Sequence, residues 1–186
     1  MKKFALLLLI CSGGYLLADG GWIYLKAVLA QQLLEHSWQQ TLETTQPTRP
    51  WPWADTRVVA RLTVPAQGIA HIVLAGDSGR TLAFGPGHTP GSAMPGEAGS
   101  VVISGHRDTH FRFLEQLQQG NEIDLQTARG HYRYRVRDVR ILNIHRHKLA
   151  SDPDSKLLYL VTCFPFDSMV SGGPLRYVVS AELIEV

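Results

Sequence analysis

The sequence predicts an all-β domain with one minor helix, folded as a closed β-barrel of seven or eight strands behind an N-terminal transmembrane helix. Three observations predict this fold. An apolar segment opens the chain, and a helical and then proline-rich stretch follows it. From residue 57 onward, short runs of β-branched and aromatic residues alternate with Gly and Pro clusters. Many short strands within residues 57–186 favour a closed barrel over a sandwich or a parallel sheet.

The first apolar segment predicts a membrane anchor over residues 1–30. Two lysines precede an apolar run from Phe4 to Ala18, and a second apolar stretch follows Asp19. A segment of this length can cross a bilayer, and basic residues before it favour a cytoplasmic N-terminus. A cleaved secretory signal is the alternative, because the small residues in "KAVLAQ" suit a signal peptidase. Both interpretations place the remaining chain outside the cytoplasm.

Residues 31–56 are predicted to connect the anchor to the folded domain. The segment "QQLLEHSWQQTLETT" has the apolar spacing of a helix and continues the anchor helix. The proline-rich "QPTRPWPWADT" then ends that helix. The folded domain is therefore expected to cover residues 57–186.

Two segments of this domain carry the strongest local patterns. "HYRYRVR" alternates strictly, so Tyr132, Tyr134 and Val136 are expected on one face of a strand and the arginines between them on a solvated face. "HFRFLEQLQ" predicts the minor helix, because its Phe and Leu residues share a face and Gly120 can end it.

Composition excludes several classes of function. The formal net charge is only +2, and the arginines are scattered, so the dense basic surface of a nucleic-acid-binding protein is missing. Cys11 lies in the apolar N-terminal segment, which leaves Cys163 as the single thiol of the folded domain. The domain is therefore expected to have no internal disulfide, no metal and no cofactor.

Three polar residues fall where predicted strands end or begin. His106 follows the apolar strand "VVIS" and a glycine, and Cys163 ends the apolar run "LLYLVTC". Arg176 begins the last strand, beyond a loop rich in Gly and Pro. If the strands flanking this loop pair as a hairpin, Cys163 and Arg176 become neighbours. A thiol, an imidazole and a guanidinium held together can perform nucleophilic catalysis, although each residue alone is also compatible with a structural role.

The order of several short motifs resembles the sortase family of membrane-anchored cysteine transpeptidases. "LTVPAQGI" is similar to an early strand of that family, and "GPGH" through "ISGHRDTHF" is similar to the run that ends in its catalytic histidine. "LVTCFPF", with Arg176 downstream, is similar to its TC signature and catalytic arginine. The segment "WPWADT" resembles the branch of the family found in Gram-negative bacteria.

The resemblance implies a role for each candidate residue. Cys163 is expected to be the nucleophile, His106 the general acid and base, and Arg176 the group that stabilises the oxyanion and the substrate. Three neighbouring residues are expected to bind the substrate: Ser104, Thr162 and Phe164. A packing role for Thr162 is equally open, because strand alternation points its side chain away from Cys163.

The resemblance also implies the partners and the location of the protein. The substrate would be a protein with an LPXTG-like sorting signal, cleaved between Thr and Gly through a thioacyl-enzyme and transferred to an amine acceptor. The protein would be a single-pass protein of the inner membrane, with its catalytic domain on the periplasmic side.

Other functions remain open at the level of sequence. A cysteine peptidase that hydrolyses the same signal shares the first half of this reaction, and a membrane-tethered barrel that only binds a partner shares the fold. An L,D-transpeptidase also pairs Cys with His. Its cysteine normally follows a Ser-x-Gly turn, whereas Cys163 follows "LVT".

Overall fold

A computed structural model describes residues 2–146, 155–168 and 172–186 of the chain. The described helices are α1 (Lys2–Thr44) and α2 (Gly79–Leu82), with short 3₁₀ turns at Pro65–Gln67 and Arg112–Gln116. The described strands are β1 (Val58–Val64), β2 (Ile69–Ala75), β3 (Gly87–His88), β4 (Val101–Ser104), β5 (Glu122–Thr127), β6 (Gly130–Asn143), β7 (Leu157–Cys163) and β8 (Leu175–Glu185).

The strands close into a barrel in the order β1, β2, β3, β4, β7, β8, β6, β5. β2 pairs with β3 and β4 pairs with β7 in parallel, whereas the other neighbouring strands are antiparallel. Closure leaves no open sheet edge, so each strand has a partner on both sides. The predicted closed β-barrel is confirmed.

The interior of the barrel is built from alternate residues of each strand. Along β6, Tyr132, Tyr134 and Val136 are buried, and the arginines between them are exposed, as the alternation predicts. The exposed arginines pair with carboxylates of neighbouring strands: Arg133 lies 2.8 Å from an oxygen of Asp124 on β5. Burial of the apolar face is the main source of stability here, because exposed ion pairs contribute little.

The second half of α1 packs on the outside of the barrel. Leu34 and Trp38 are fully buried against Val58, Ile72 and Leu74 of β1 and β2. A set of hydroxyl hydrogen bonds then ties the chain that follows α1 back onto the helix, through Ser37, Thr41 and Thr48. This stretch of α1 is therefore part of the packed domain.

The predicted transmembrane span is not supported. Among the residues that the structure describes, none of the helices combines the length and the apolar character needed to cross a membrane. Asp19 and Lys26 lie within α1, close to its middle. The helix also runs without a break through the expected boundary between residues 30 and 31, so the predicted division of the chain stays a prediction.

The minor helix is shorter than the sequence predicts. It is a 3₁₀ turn over Arg112–Gln116 that buries Phe113 and Leu114, and it does not continue to Gly120. The backbone becomes extended at Leu117, and the Asn121 side chain accepts a hydrogen bond from the Gln118 amide at 2.8 Å. This local turn competes with another round of helix, as Asn side chains commonly do.

Candidate active site

The parallel pairing of β4 and β7 directs His106 and Cys163 to the same end of the barrel. Ser104 lies opposite Val161 in this pair, and His106 and Cys163 each follow two residues later in the chain. The ladder continues past the end of β4, because the Gly105 amide donates to the Val161 carbonyl at 3.1 Å. Side chains two residues apart point to the same face of a strand.

The antiparallel pairing of β7 and β8 places Arg176 on the other side of Cys163. Cys163 and Arg176 are direct partners in the register, as a hairpin between these strands predicts. The Phe164 amide donates to the Leu175 carbonyl at 3.1 Å and extends the pairing by another residue. Cys163 therefore lies at the end of β7, with Arg176 of β8 as its direct partner and with the segment after β4, which carries His106, on the other side.

All three candidate catalytic residues are accessible. His106 is exposed, and Cys163 and Arg176 are half-buried, so a peptide can reach the thiol while the strands hold its position. Among the described residues, no group of three or more His, Cys, Asp or Glu side chains could hold a metal ion. The chemistry that this arrangement offers is nucleophilic attack by sulfur, assisted by an imidazole and a cation.

Thr162 joins β7, which carries Cys163, to the segment that precedes His106. Its hydroxyl donates to the Gly105 carbonyl at 2.7 Å, and only 2% of the residue is exposed. Gly105 is in turn packed against the buried ring of Phe111. Thr162 is thus placed to fix the backbone before His106. Its predicted contact with substrate stays a prediction, and the burial of its side chain does not favour that contact.

The Arg176 guanidinium is held by its own loop. One of its terminal nitrogens donates to the Gly173 carbonyl at 2.6 Å and to the Leu175 carbonyl at 2.9 Å. A guanidinium carries five N–H groups, so these two contacts orient the group without using all of its donors. The remaining donors are suited to a carbonyl oxygen that gains negative charge.

Two arginines tie the loop after His106 to the loop after Cys163. Arg107 donates to the Ser168 carbonyl at 2.5 Å. Arg112 donates to the Phe166 carbonyl at 3.3 Å and pairs with Asp167 at 3.0 Å. These contacts cross between the two segments and fix the separation of the loops that flank His106 and Cys163.

Phe164 lies in an aromatic group beside Cys163. Its ring stacks on Tyr177, with ring centroids 6.2 Å apart, and meets the ring of Phe166 edge-on. The residue is half-buried and packs against the barrel core. Its predicted role in substrate binding stays a prediction, while its packing role is evident.

Ser104 is joined to two residues that sequence reasoning missed. Its hydroxyl lies 3.3 Å from that of Thr89, which donates to an Asp77 carboxylate oxygen at 2.8 Å. Asp77 and Thr89 lie in loops after β2 and β3, and no local pattern in the sequence predicts that these loops meet β4. Ser104 is half-buried on the same face as Cys163, where its predicted contact with substrate stays a prediction.

A histidine pair also lies next to the candidate site. The rings of His71 on β2 and His110 contact each other edge-on, with centroids 5.4 Å apart. Burial, together with a smaller electrostatic contribution from the His110 imidazole, lowers the pKa of His71 from 6.5 to about 4. Burial also lowers the pKa of His110, and the neighbouring His106 adds to that effect. Both imidazoles therefore favour the neutral form in the folded protein.

We predict that this pair makes the fold less stable in acid. Because the pKa of His71 is lower in the folded chain, the unfolded chain binds more protons between about pH 6.5 and about pH 4. Above about pH 6.5 the neutral His71 imidazole does not destabilise the folded chain. As the pH falls from about 6.5 to about 4, the free energy of unfolding decreases. After allowing for the solvent that reaches this half-buried ring, we expect a loss of about 1–2 kcal/mol in the free energy of unfolding near pH 5.

Urea unfolding at about pH 7.5 and about pH 5 measures this loss. His71→Gln should lose less stability than wild type between the two conditions, whereas His131→Gln, at an exposed position of β6, should behave like wild type. Equal losses in wild type and His71→Gln would show that the His71 imidazole does not carry the effect.

Comparison with known proteins identifies the family. The family model of the sortase domain matches residues 62–184. Sortase D of Bacillus subtilis (strain 168) is 31% identical over 119 residues, which cover 63% of this chain and 60% of that protein. The match therefore spans less than two thirds of the relative's length.

Solved structures show the same fold. A Clostridium perfringens sortase D5 transpeptidase has a TM-score of 0.68 at 24% identity, covering 85% of this chain and 99% of that chain. Sortase C-1 from Actinomyces oris has a TM-score of 0.61 at 26% identity, covering 69% and 75%. These relatives are from Gram-positive bacteria, and the predicted similarity to the Gram-negative branch is not shown. Since the family model covers most of the barrel, from β1 to β8, this chain belongs to the sortase family.

Proposed function

We propose that this protein is a cysteine transpeptidase that cleaves an LPXTG-like sorting signal between Thr and Gly. One observation carries the proposal: the strand register pairs Cys163 directly with Arg176, and the β4/β7 pairing leads the chain that carries His106 to the same end of β7. Three half-buried or exposed side chains of complementary chemistry lie where β7 ends, where β8 begins and just after β4. Family membership supports the same reaction class.

The first half of the proposed reaction forms a thioacyl-enzyme. The Cys163 sulfur, having given its proton to His106, attacks the carbonyl carbon of the substrate threonine and forms a C–S bond. N–H groups of Arg176 stabilise the negative charge on the carbonyl oxygen. The C–N bond then breaks, and His106 donates the proton to the leaving glycine amine.

The second half transfers the acyl group to an amine acceptor. The acceptor nitrogen attacks the thioester carbon and loses a proton to His106, and the C–S bond breaks as the new amide forms. The acceptor proton thus replaces the one that left with the glycine, and Cys163 is regenerated. The chain supplies each group required without a cofactor.

The outer face of β4 and β7 provides a surface for an extended peptide. Val102 and Ser104 on β4 and Val161 on β7 are half-buried and lie on the same face as Cys163. Small apolar side chains on this surface suit the Leu and Pro of an LPXTG-like signal, because contact between apolar side chains removes apolar surface from water. We place the reaction in the cell envelope, where a sorting-signal protein and an amine acceptor can meet. We further propose that this envelope is that of a Gram-negative bacterium, because the segment "WPWADT" before β1 resembles that branch of the family.

Hydrolysis of the same thioacyl-enzyme is the second candidate function. His106 is exposed, so water can reach the imidazole that would activate it. A peptidase and a transpeptidase therefore share the first half of the reaction and differ only in the acceptor.

Product analysis with and without an amine separates these functions. The full chain is incubated with an LPXTG peptide, alone and with a glycine-based amine, and the products are identified by mass spectrometry. We expect a new amide product that appears only with the amine and grows at the expense of free acid. Free acid alone at every amine concentration would contradict transfer and support a peptidase, and an intact peptide would contradict both.

A further inference from the structure

A chain of three hydrogen-bonding side chains ends on the proposed substrate surface. The Thr89 hydroxyl donates to an Asp77 carboxylate oxygen at 2.8 Å, and the Thr89 and Ser104 hydroxyl oxygens lie 3.3 Å apart. The backbone supports this geometry, because the Thr89 amide donates to the Val102 carbonyl at 2.9 Å and the Gly76 amide donates to the His88 carbonyl at 2.9 Å. The three side chains come from three different segments of the chain.

The number of protons fixes the direction of these hydrogen bonds. A hydroxyl has one proton, and an ionised carboxylate can only accept. The proton of Thr89 is committed to Asp77, so Thr89 can only accept from Ser104. The proton of Ser104 therefore points to Thr89, and the lone pairs of Ser104 remain to accept a hydrogen bond from elsewhere.

Ser104 lies close to the reacting groups. It is opposite Val161, two residues before Cys163 on β7, so it is about 7 Å from the level of the thiol along the strands. The side chain is half-buried and shares the face of Cys163. An extended peptide advances about 3.3 Å per residue, so the residues next to the carbonyl that Cys163 attacks come within reach of this oxygen.

We propose that Asp77 and Thr89 are positioning residues that commit Ser104 to accept a hydrogen bond from the substrate. The donor is the hydroxyl of the substrate threonine at the scissile bond, and Ser104 is the residue that selects it. This inference rests on the proposed function and adds a physical reason for a preference at that position. A substrate with valine there has the same shape but no proton to offer Ser104.

The expected preference for the threonine peptide over the valine peptide follows from the strength of one hydrogen bond. A half-buried acceptor that loses its donor gives up a neutral hydrogen bond, which corresponds to roughly a ten-fold difference in kcat/KM between the two peptides. A purely structural role for the Asp77, Thr89 and Ser104 chain would instead change both peptides equally. The ratio of the two kcat/KM values therefore separates selection from folding.

Matched variants isolate each element of the chain. Thr89→Val removes the hydroxyl that receives the Ser104 proton, whereas Thr89→Ser keeps it. Asp77→Asn can donate to Thr89, which frees the Thr89 proton to point at Ser104 and reverses the chain. Ser180→Ala is the control, since Ser180 makes a hydroxyl contact of the same length, 3.3 Å to the Asp138 carbonyl, on β8 and four residues from Arg176.

The experiment measures kcat and KM of the full-length chain with LPXTG and LPXVG peptides, and confirms folding by thermal unfolding. Wild type, Thr89→Ser and Ser180→Ala should prefer the threonine peptide about ten-fold. Ser104→Ala should reduce this preference to about two-fold or less, and Thr89→Val and Asp77→Asn, which release the orientation of the Ser104 hydroxyl, should reduce it by a smaller factor.

Two results would overturn the inference in distinguishable ways. If wild type acylates and the ratio is the same in all variants, Ser104 does not read the threonine hydroxyl, and the proposed function stands. If wild type cleaves neither peptide, the proposed function fails, and the inference fails with it. If Thr89→Val does not fold, Asp77→Asn and Ser104→Ala decide the outcome.

Discussion

Replacement of Arg176 by alanine is expected to lower kcat/KM for cleavage of a sorting-signal peptide by about 10²–10³. Arg176 is the direct partner of Cys163 in the β7/β8 register, and its loop carbonyls orient the guanidinium. Loss of a donor to a developing oxyanion acts on the transition state, so the decrease should fall mainly on kcat. Arg176→Lys should recover part of the activity, because an ammonium keeps the charge but not the planar set of donors.

Steady-state kinetics with a fluorogenic LPXTG peptide measures this effect. Arg137→Ala, at an exposed position of β6, is the matched control and should keep wild-type activity. The rate of Cys163 alkylation by iodoacetamide as a function of pH reports separately on the thiolate. Unchanged kcat/KM and an unchanged alkylation profile in Arg176→Ala would remove Arg176 from the mechanism.

A single added methyl group at Gly105 is expected to impair both folding and catalysis. A Cβ atom at this position would lie 2.6 Å from Cγ of Phe111, a ring that is fully buried. Either Phe111 or the backbone of Gly105 must move. Overpacking of this kind costs about 1–3 kcal/mol of stability. Because His106 is the next residue, displacement of the backbone should also lower kcat by about 10²-fold.

Urea unfolding and peptide cleavage of Gly105→Ala measure the two effects. Gly79→Ala is the control, since a Cβ at Gly79 meets nothing within 4 Å. Phe111→Leu added to Gly105→Ala should recover stability, because the smaller side chain makes room for the methyl group. Wild-type stability and activity in Gly105→Ala would show that the segment before His106 tolerates displacement.

The sequence predicts the barrel because its strands carry local information. Alternation in "HYRYRVR" specifies which residues face inward, apolar runs such as "LLYLVTC" indicate buried strands, and the structure contains both. The helix at Arg112–Gln116 is shorter than predicted because a side-chain hydrogen bond of Asn121 forms a turn. The apolar run at the N-terminus predicts a membrane span, but none of the helices in the described residues is long and apolar enough to cross a membrane.

The neighbourhood of the candidate site is less accessible to sequence reasoning. The pairing of Cys163 with Arg176 follows from a hairpin, which is a local feature. The contacts of Asp77 with Thr89, and of His71 with His110, join loops that are far apart in the chain. Such contacts depend on strand order and register, which single-sequence patterns do not encode. The packing of α1 on β1 and β2 is another contact of this kind, between segments that are far apart in the chain.

The central claim, that Cys163 is an acylated nucleophile, is tested most directly by mass spectrometry of the intact protein. The full chain is incubated with an LPXTG peptide, in parallel with Cys163→Ala, and peptide mapping locates any adduct. We predict a mass increase equal to the peptide fragment that ends in Thr, located on Cys163 and absent from Cys163→Ala. An unmodified Cys163 that also fails to react with iodoacetamide would contradict the claim and indicate a structural thiol.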